Sequence, residues 1–128
     1  MTLPLIDIPR IDDDRGSLCV FEGFAFPVRR AYWIFDVQPM SARGGHAHRT
    51  LDRYLVALHG GFRATLDKAD SVRLYRPDKA LRVEPMRWLD LDWFATGSVC
   101  LVLASAEYEE SDYIRDFAEW QALTRGAG

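Results

Sequence analysis

Of the three histidines in the 128-residue chain, two stand in the stretch Arg43-Gly44-Gly45-His46-Ala47-His48. In an extended strand, residues two apart share a face, so both imidazoles are expected to point the same way. Near pH 7 an imidazole is a competent base and a competent acid. Two on one face can take a proton from one carbon and return one to its neighbour. Cationic Arg43 or Arg53, or the Tyr32 hydroxyl, is a candidate to stabilise an oxyanion formed between those events. The two preceding glycines permit a sharp turn and close approach of a ligand to the backbone. A bare His-x-His is also consistent with surface or structural histidines, so its context must decide.

That context has a longer spacing. Small β-barrels of the cupin class carry His-x-His, four residues, Glu, six residues, Gly; here the same intervals lead from His48 to Arg53 and then to Gly60. Their second motif places a His five positions after a Pro, and here Pro85 leads to Asp90. A cupin metal would therefore meet His46, His48, Arg53 and Asp90. Arg53 cannot deprotonate or ligate. Its charge would repel a cation by roughly 4 kcal/mol at about 4 Å with an effective dielectric near 20. Two histidines and one carboxylate make a poor site, so no metal and no cofactor are expected.

The elements that must hold these residues read as short strands. Residues 17–21, 29–37, 53–59, 62–66, 72–76, 81–85, 86–91 and 98–105 are rich in β-branched and aromatic side chains. Gly60-Gly61, Arg76-Pro77-Asp78 and Ala95-Thr96-Gly97 punctuate them as turns. Residues 98–105 are apolar on both faces, which predicts a covered strand. Tyr32 and Trp33 fall on opposite faces of one strand, so at most one reaches the interior. Only the end looks helical: Asp116 and Glu119 form a capping-box pattern ahead of Phe117, Trp120, Gln121 and Leu123. The expected fold is all-β, a cupin-type small barrel or jelly roll with a short C-terminal helix, as one domain over residues 1–128.

Composition narrows the partners. The net charge is −3, which leaves no footprint for nucleic acid. No apolar run is long enough for a membrane span and the N-terminus lacks a signal pattern, so the cytoplasm is the expected location. Of 16 cationic side chains only Lys68 and Lys79 are lysines. An arginine excess suits phosphate binding through the planar guanidinium, although it also follows from a codon preference. Cys19 and Cys100 sit in apolar runs and are expected as free thiols. Asp12-Asp13-Asp14 reads as a solvated loop, and His59 as a turn residue.

The residues also carry a resemblance. Arg15-Gly16-Ser17-Leu18, Phe26-Pro27-Val28-Arg29-Arg30-Ala31-Tyr32-Trp33-Ile34, Arg43 to His48, Trp88, Leu101 to Ser105 and Asp112-Tyr113-Ile114-Arg115 together resemble the sugar 3,4-ketoisomerase family. This family, also described as FdtA-like or WxcM-like C-terminal domains, acts on dTDP-4-keto-6-deoxyglucose. The resemblance implies a metal-independent homodimeric cupin with N-terminal strands exchanged between subunits. It implies a dTDP-linked sugar as substrate, and a carbonyl moved from C4 to C3 through an enediol. Its products lead to 3-amino-3,6-dideoxy sugars of surface polysaccharides and natural products. The catalytic candidates are His46, His48 and Tyr32; the substrate-binding candidates are Arg43, Arg53, Arg30 and Trp88. Trp88 reads equally as a barrel filler. Asp112 and Arg115 are either a local pair or closers of the barrel mouth. The chain departs from the resemblance at Arg53, where a Gln is expected, and that bears on the sugar and on the configuration at C4. Two rivals stand beside the isomerase: a 3,5-epimerase-like enzyme, which needs a His–Asp pair not identifiable in the sequence, and a non-catalytic nucleotide-sugar-binding module.

Overall fold

The computed structural model describes residues 3–126. Positions 1, 2, 127 and 128 of the expected single domain lie outside the described residues. In chain order the strands are β1 (Ile6–Asp7), β2 (Arg10–Asp13), β3 (Gly16–Cys19), β4 (Arg30–Phe35), β5 (Arg43–His48) and β6 (Arg53–His59). They continue with β7 (Phe62–Leu66), β8 (Asp70–Leu74), β9 (Lys79–Val83), β10 (Leu89–Asp92), β11 (Val99–Ala104) and β12 (Tyr113–Ile114), before helix α1 (Phe117–Gly126). Two five-stranded antiparallel sheets, ordered β1-β9-β6-β11-β4 and β12-β5-β10-β7-β8, face each other, with β2-β3 as a separate hairpin. The expected all-β cupin-type fold with one short C-terminal helix is what the chain adopts.

Period-two alternation fills the space between the sheets. Leu55, Phe62, Leu66, Leu74, Leu81, Val83, Leu89, Leu91, Cys100 and Val102 form the main core. β11 lies between β6 and β4, and its outward residues Val99, Leu101 and Leu103 are only half-buried, so the fully covered strand expected here is covered in part. Ile8, Val56 and Ala80 pack there with Cys19, Phe21 and Leu101. The ring of Tyr54 is boxed in by Phe21, Phe24 and Phe26, and its hydroxyl accepts the Ala25 N–H at 3.0 Å. Both cysteines are free; Cys100 is buried and Cys19 half-buried.

Three expectations shift. Residues 86–91 do not form one strand. Met86 takes φ +66°, so Met86 to Trp88 turn and β10 begins at Leu89. The turn is held by Asp67, which accepts the Trp88 N–H at 2.9 Å. The expected strand at 72–76 is displaced to 70–74, since Pro77 and the Arg76–Asp78 pair belong to the following turn. The capping box at α1 is half formed: Asp116 accepts the Ala118 N–H, but Glu119 reaches Arg49 at 3.2 Å instead of turning back. The Asp12-Asp13-Asp14 stretch is exposed, and Asp12 and Asp13 pair with Arg10 and Arg15. His59 is exposed at the end of β6.

Candidate active site

β5 carries the histidines, and its geometry begins at two glycines. Gly44 and Gly45 adopt φ +83° and +73°, a region that L side chains rarely enter. A Cβ on Gly44 would stand 2.7 Å from the carbonyl oxygen of Leu89. Opposite them the β5–β10 register shifts between Leu89 and Asp90. A bulge of this kind re-aims the side chains that follow.

The result is asymmetric. His46 lines a cavity of about 910 Å³ between the sheets. His48 is 2% exposed and borders a second cavity of about 410 Å³ that shares Arg30 and Tyr113 with the first. The rings lie edge to face with centroids 5.0 Å apart, and Tyr113 packs on both, 5.0 Å from His46 and 4.2 Å from His48. The expectation of one shared face therefore holds for proximity but not for access.

β4 and β6 supply the opposite wall. Along β4, Arg30, Tyr32 and Ile34 are half-buried, while Trp33 and Phe35 face outward. Tyr32 is thus the member of its pair that reaches the cavity, joined there by Arg30, Arg43, Arg53, Tyr113 and Arg115. Arg30 stacks over Tyr32 at 5.0 Å. Arg53 is buried at 1% exposure, so its charge lies in the barrel interior.

Trp88, expected at the substrate, is elsewhere. It is 3% exposed and packs with Ala47, Ile114 and Trp120 on the far side of β5. Leu89 and Leu91 line the cavity, and alternation from them turns Trp88 away. Asp112 and Arg115 do not pair with each other. Asp112 accepts from the Thr50 N–H, the Thr50 hydroxyl and the Leu51 N–H, and stands 3.3 Å from His48 Nδ1. That last approach is an electrostatic contact, not an aligned hydrogen bond. Arg115 holds Glu110 at 3.0 Å at the cavity rim. Tyr113, not singled out from the sequence, is the residue that touches both imidazoles. Its only signal was membership of the Asp-Tyr-Ile-Arg stretch.

Electrostatics set the protonation states. Burial, then the Arg53 charge, pushes His46 down to about 4. The same causes push His48 down, opposed by Asp112. Both imidazoles are therefore neutral near pH 7 and available as bases. Burial raises Tyr32, which keeps its phenolic proton and donates. Histidines that are neutral in the fold but titrate near 6.5 when unfolded bind more protons in the unfolded chain between those values. Stability is expected to fall as pH drops from about 6.5 toward 4, above most of the carboxylate range. A melting temperature that stays flat between pH 7 and pH 5 would contradict this.

Metal chemistry has little to build on. Among the described residues no three His, Cys, Asp or Glu side chains gather as ligands. Arg53 faces the cavity where a cupin carboxylate ligand would stand, and Asp90 pairs with Lys68 at 3.4 Å.

The chain is 38% identical over 119 residues to the TDP-4-oxo-6-deoxy-alpha-D-glucose-3,4-oxoisomerase of Aneurinibacillus thermoaerophilus, covering 88% of this chain and 86% of that one. A 3,4-ketoisomerase from Helicobacter canadensis superposes with TM-score 0.90 at 33% identity, covering 95% and 96% of the two chains. QdtA from Thermoanaerobacterium thermosaccharolyticum, a 3,4-ketoisomerase solved as a histidine-to-asparagine variant with TDP-4-keto-6-deoxyglucose, superposes with TM-score 0.92 at 32% identity over 96% and 94%. The family model FdtA (WxcM-like, C-terminal) matches residues 1–125, and the chain belongs to that family.

Proposed function

We propose that this protein is a single-domain, cytoplasmic sugar 3,4-ketoisomerase that moves the carbonyl of a TDP-linked 4-keto-6-deoxy sugar from C4 to C3. The observation that carries the reading is a neutral histidine, His46, opening onto a large cavity walled by Arg30, Arg43, Arg53, Arg115 and Tyr32. Known 3,4-ketoisomerases share its fold and a third of its sequence.

His46 takes the proton from C3 while Tyr32 donates to the carbonyl oxygen. The C3–H electron pair becomes the C3=C4 bond, and the carbonyl pair moves onto O4, which is protonated. O3 then gives up its proton, its electrons form the new carbonyl, and C4 receives a proton. C3 is oxidised and C4 reduced within one molecule, so no redox cofactor enters. His48, set against Asp112, faces the smaller cavity and acts on the reaction through its contact with His46. Exposed Arg43 and Arg115 meet the diphosphate at the rim. Arg53, a fixed cation in the cavity wall, opposes a metal there, and the reaction proceeds without one.

The enzyme acts as a homodimer in this reading. β4 is a sheet edge that presents Trp33 and Phe35 to solvent, and the β2-β3 hairpin exposes Ile11 and Leu18. Such an edge and such patches call for cover. Light scattering should give about twice 14.7 kDa; a monodisperse monomer at micromolar concentration would reject the dimer.

Proton NMR of TDP-4-keto-6-deoxyglucose with chelator-treated protein in D₂O tests the activity. A 3-keto product with deuterium at C4 is expected, and its couplings give the configuration there. Deuterium at C5 instead would make the protein an epimerase, and binding without exchange would make it a nucleotide-sugar-binding module.

A further inference from the structure

Arg53 is the anomaly of the cavity. Other arginines of the chain meet a carboxylate: Arg63 meets Asp92, Arg76 meets Asp78, Arg82 meets Asp52, and Arg87 meets Asp67. Arg53 does not. Its side chain is 1% exposed, and its Nε and Nη2 atoms are buried without a hydrogen-bond partner. The groups that act on it are Tyr32, Tyr113 and a second cation, Arg30. A guanidinium stays protonated in a protein, and a buried ion without a partner is strongly unfavourable.

A buried cation with no carboxylate partner, next to Arg30, whose buried Nε is also unpartnered, is suited to an anion that arrives with the ligand. The diphosphate is not that anion, because the exposed Arg43 and Arg115 stand at the rim where a charged, solvated group can be met. Arg53 lies deeper, against Tyr32 and within electrostatic reach of His46. One further negative charge belongs to the reaction in the preceding section, and it forms at the sugar. We propose that Arg53 is a catalytic residue whose guanidinium, beside the Tyr32 hydroxyl, holds the oxyanion of the enediolate.

This assignment rests on the ketoisomerase reading and adds the group that carries its charge. The C3–H bonding electrons enter the C3=C4 bond, and the displaced carbonyl electrons become an oxyanion on O4 facing Arg53. O4 then takes up a proton and O3 gives one up, so the charge moves to O3 on the neighbouring carbon; as O3 becomes the new carbonyl, C4 takes the proton that His46 holds, and the anion is discharged. The planar fork can follow that charge from one oxygen to the next without moving, which a single-point donor cannot do.

The test compares wild type, Arg53→Gln, Arg53→Lys and Arg53→Met for kcat and KM with TDP-4-keto-6-deoxyglucose, Kd for TDP, and Tm. Arg53→Met, which leaves no donor, is expected to lose about 10²–10³-fold in kcat, as for removal of an oxyanion donor, whereas Arg53→Gln keeps an amide donor and should lose less. TDP affinity should stay within about threefold, because the rim arginines are intact. Arg53→Lys should fall between wild type and Arg53→Met. Arg53→Met, which keeps length and removes the unpaired charge, should melt at or above the wild-type temperature despite that loss of rate. A kcat for Arg53→Met within about threefold of wild type would overturn the assignment, that being far below the loss of an oxyanion donor. Loss of TDP binding in step with kcat would make Arg53 a phosphate-binding residue, and a lower Tm in both the Gln and Met variants would make it structural; either overturns the proposal. Inactive wild type would overturn the ketoisomerase reading itself and this role with it, an outcome distinct from active wild type with an active Arg53→Met.

Discussion

His46→Asn is expected to lower kcat by about 10²–10⁴-fold, the usual loss when a general base is removed, with TDP affinity little changed. Asparagine keeps much of the imidazole's shape but has no basic nitrogen. His46 is half-buried and lines the large cavity, whereas the groups assigned to the diphosphate are arginines on its rim. Rate and binding should therefore separate, as expected for an interaction made chiefly in the transition state. His48→Asn should also slow the reaction, by displacing Tyr113 and His46, whose rings it touches. Deuterium exchange at C3 of the substrate reads both directly. Full activity in both variants would remove histidine chemistry from the mechanism.

The second large effect is on stability. Trp88→Ala should cost about 3–5 kcal/mol, the range for removing a buried aromatic from a core. The indole is 3% exposed and is packed on Phe117 and Trp120, with ring centroids 5.1 and 6.1 Å away. The cluster also anchors α1, since Trp120 Nε1 donates to the Met86 carbonyl at 2.9 Å. At a temperature where the variant is still folded, KM should match wild type, because Trp88 does not line the large cavity. Urea unfolding together with steady-state kinetics decides it. A raised KM with unchanged stability would return Trp88 to the substrate.

Much of this was readable in the chain. β6 and β7 were legible to the residue because both are rich in β-branched and aromatic side chains and the Gly60-Gly61 turn parts them. The inward turn of Tyr32 followed from period two. What was hidden depended on contacts distant in sequence. Parity with Leu89 and Leu91 turns Trp88 from the cavity, but the cluster it joins, Ala47, Ile114 and Trp120, comes from segments distant in sequence. β12 is only two residues long and exists because β5 offers a free edge. The sequence held no identifiable His–Asp pair, yet folding brings Asp112 to His48 across 64 positions; no local spacing rule reaches that far. Because His48 faces the smaller cavity, the pair lends the epimerase reading little. The burial of Arg53 was likewise set by tertiary packing and not by its own type.

The short pairing of Tyr113–Ile114 with Ala47–His48 also has a consequence for how the protein is made. During synthesis the histidine strand leaves the ribosome well before Asp112, which pins Thr50 and Leu51, and Tyr113, which packs on both imidazoles. Chains fold from the N-terminus as they emerge, so the two sheets can assemble around an unfinished site. A nascent chain that stops short of Asp112 would then hold its histidines without Asp112 and Tyr113 and be inert.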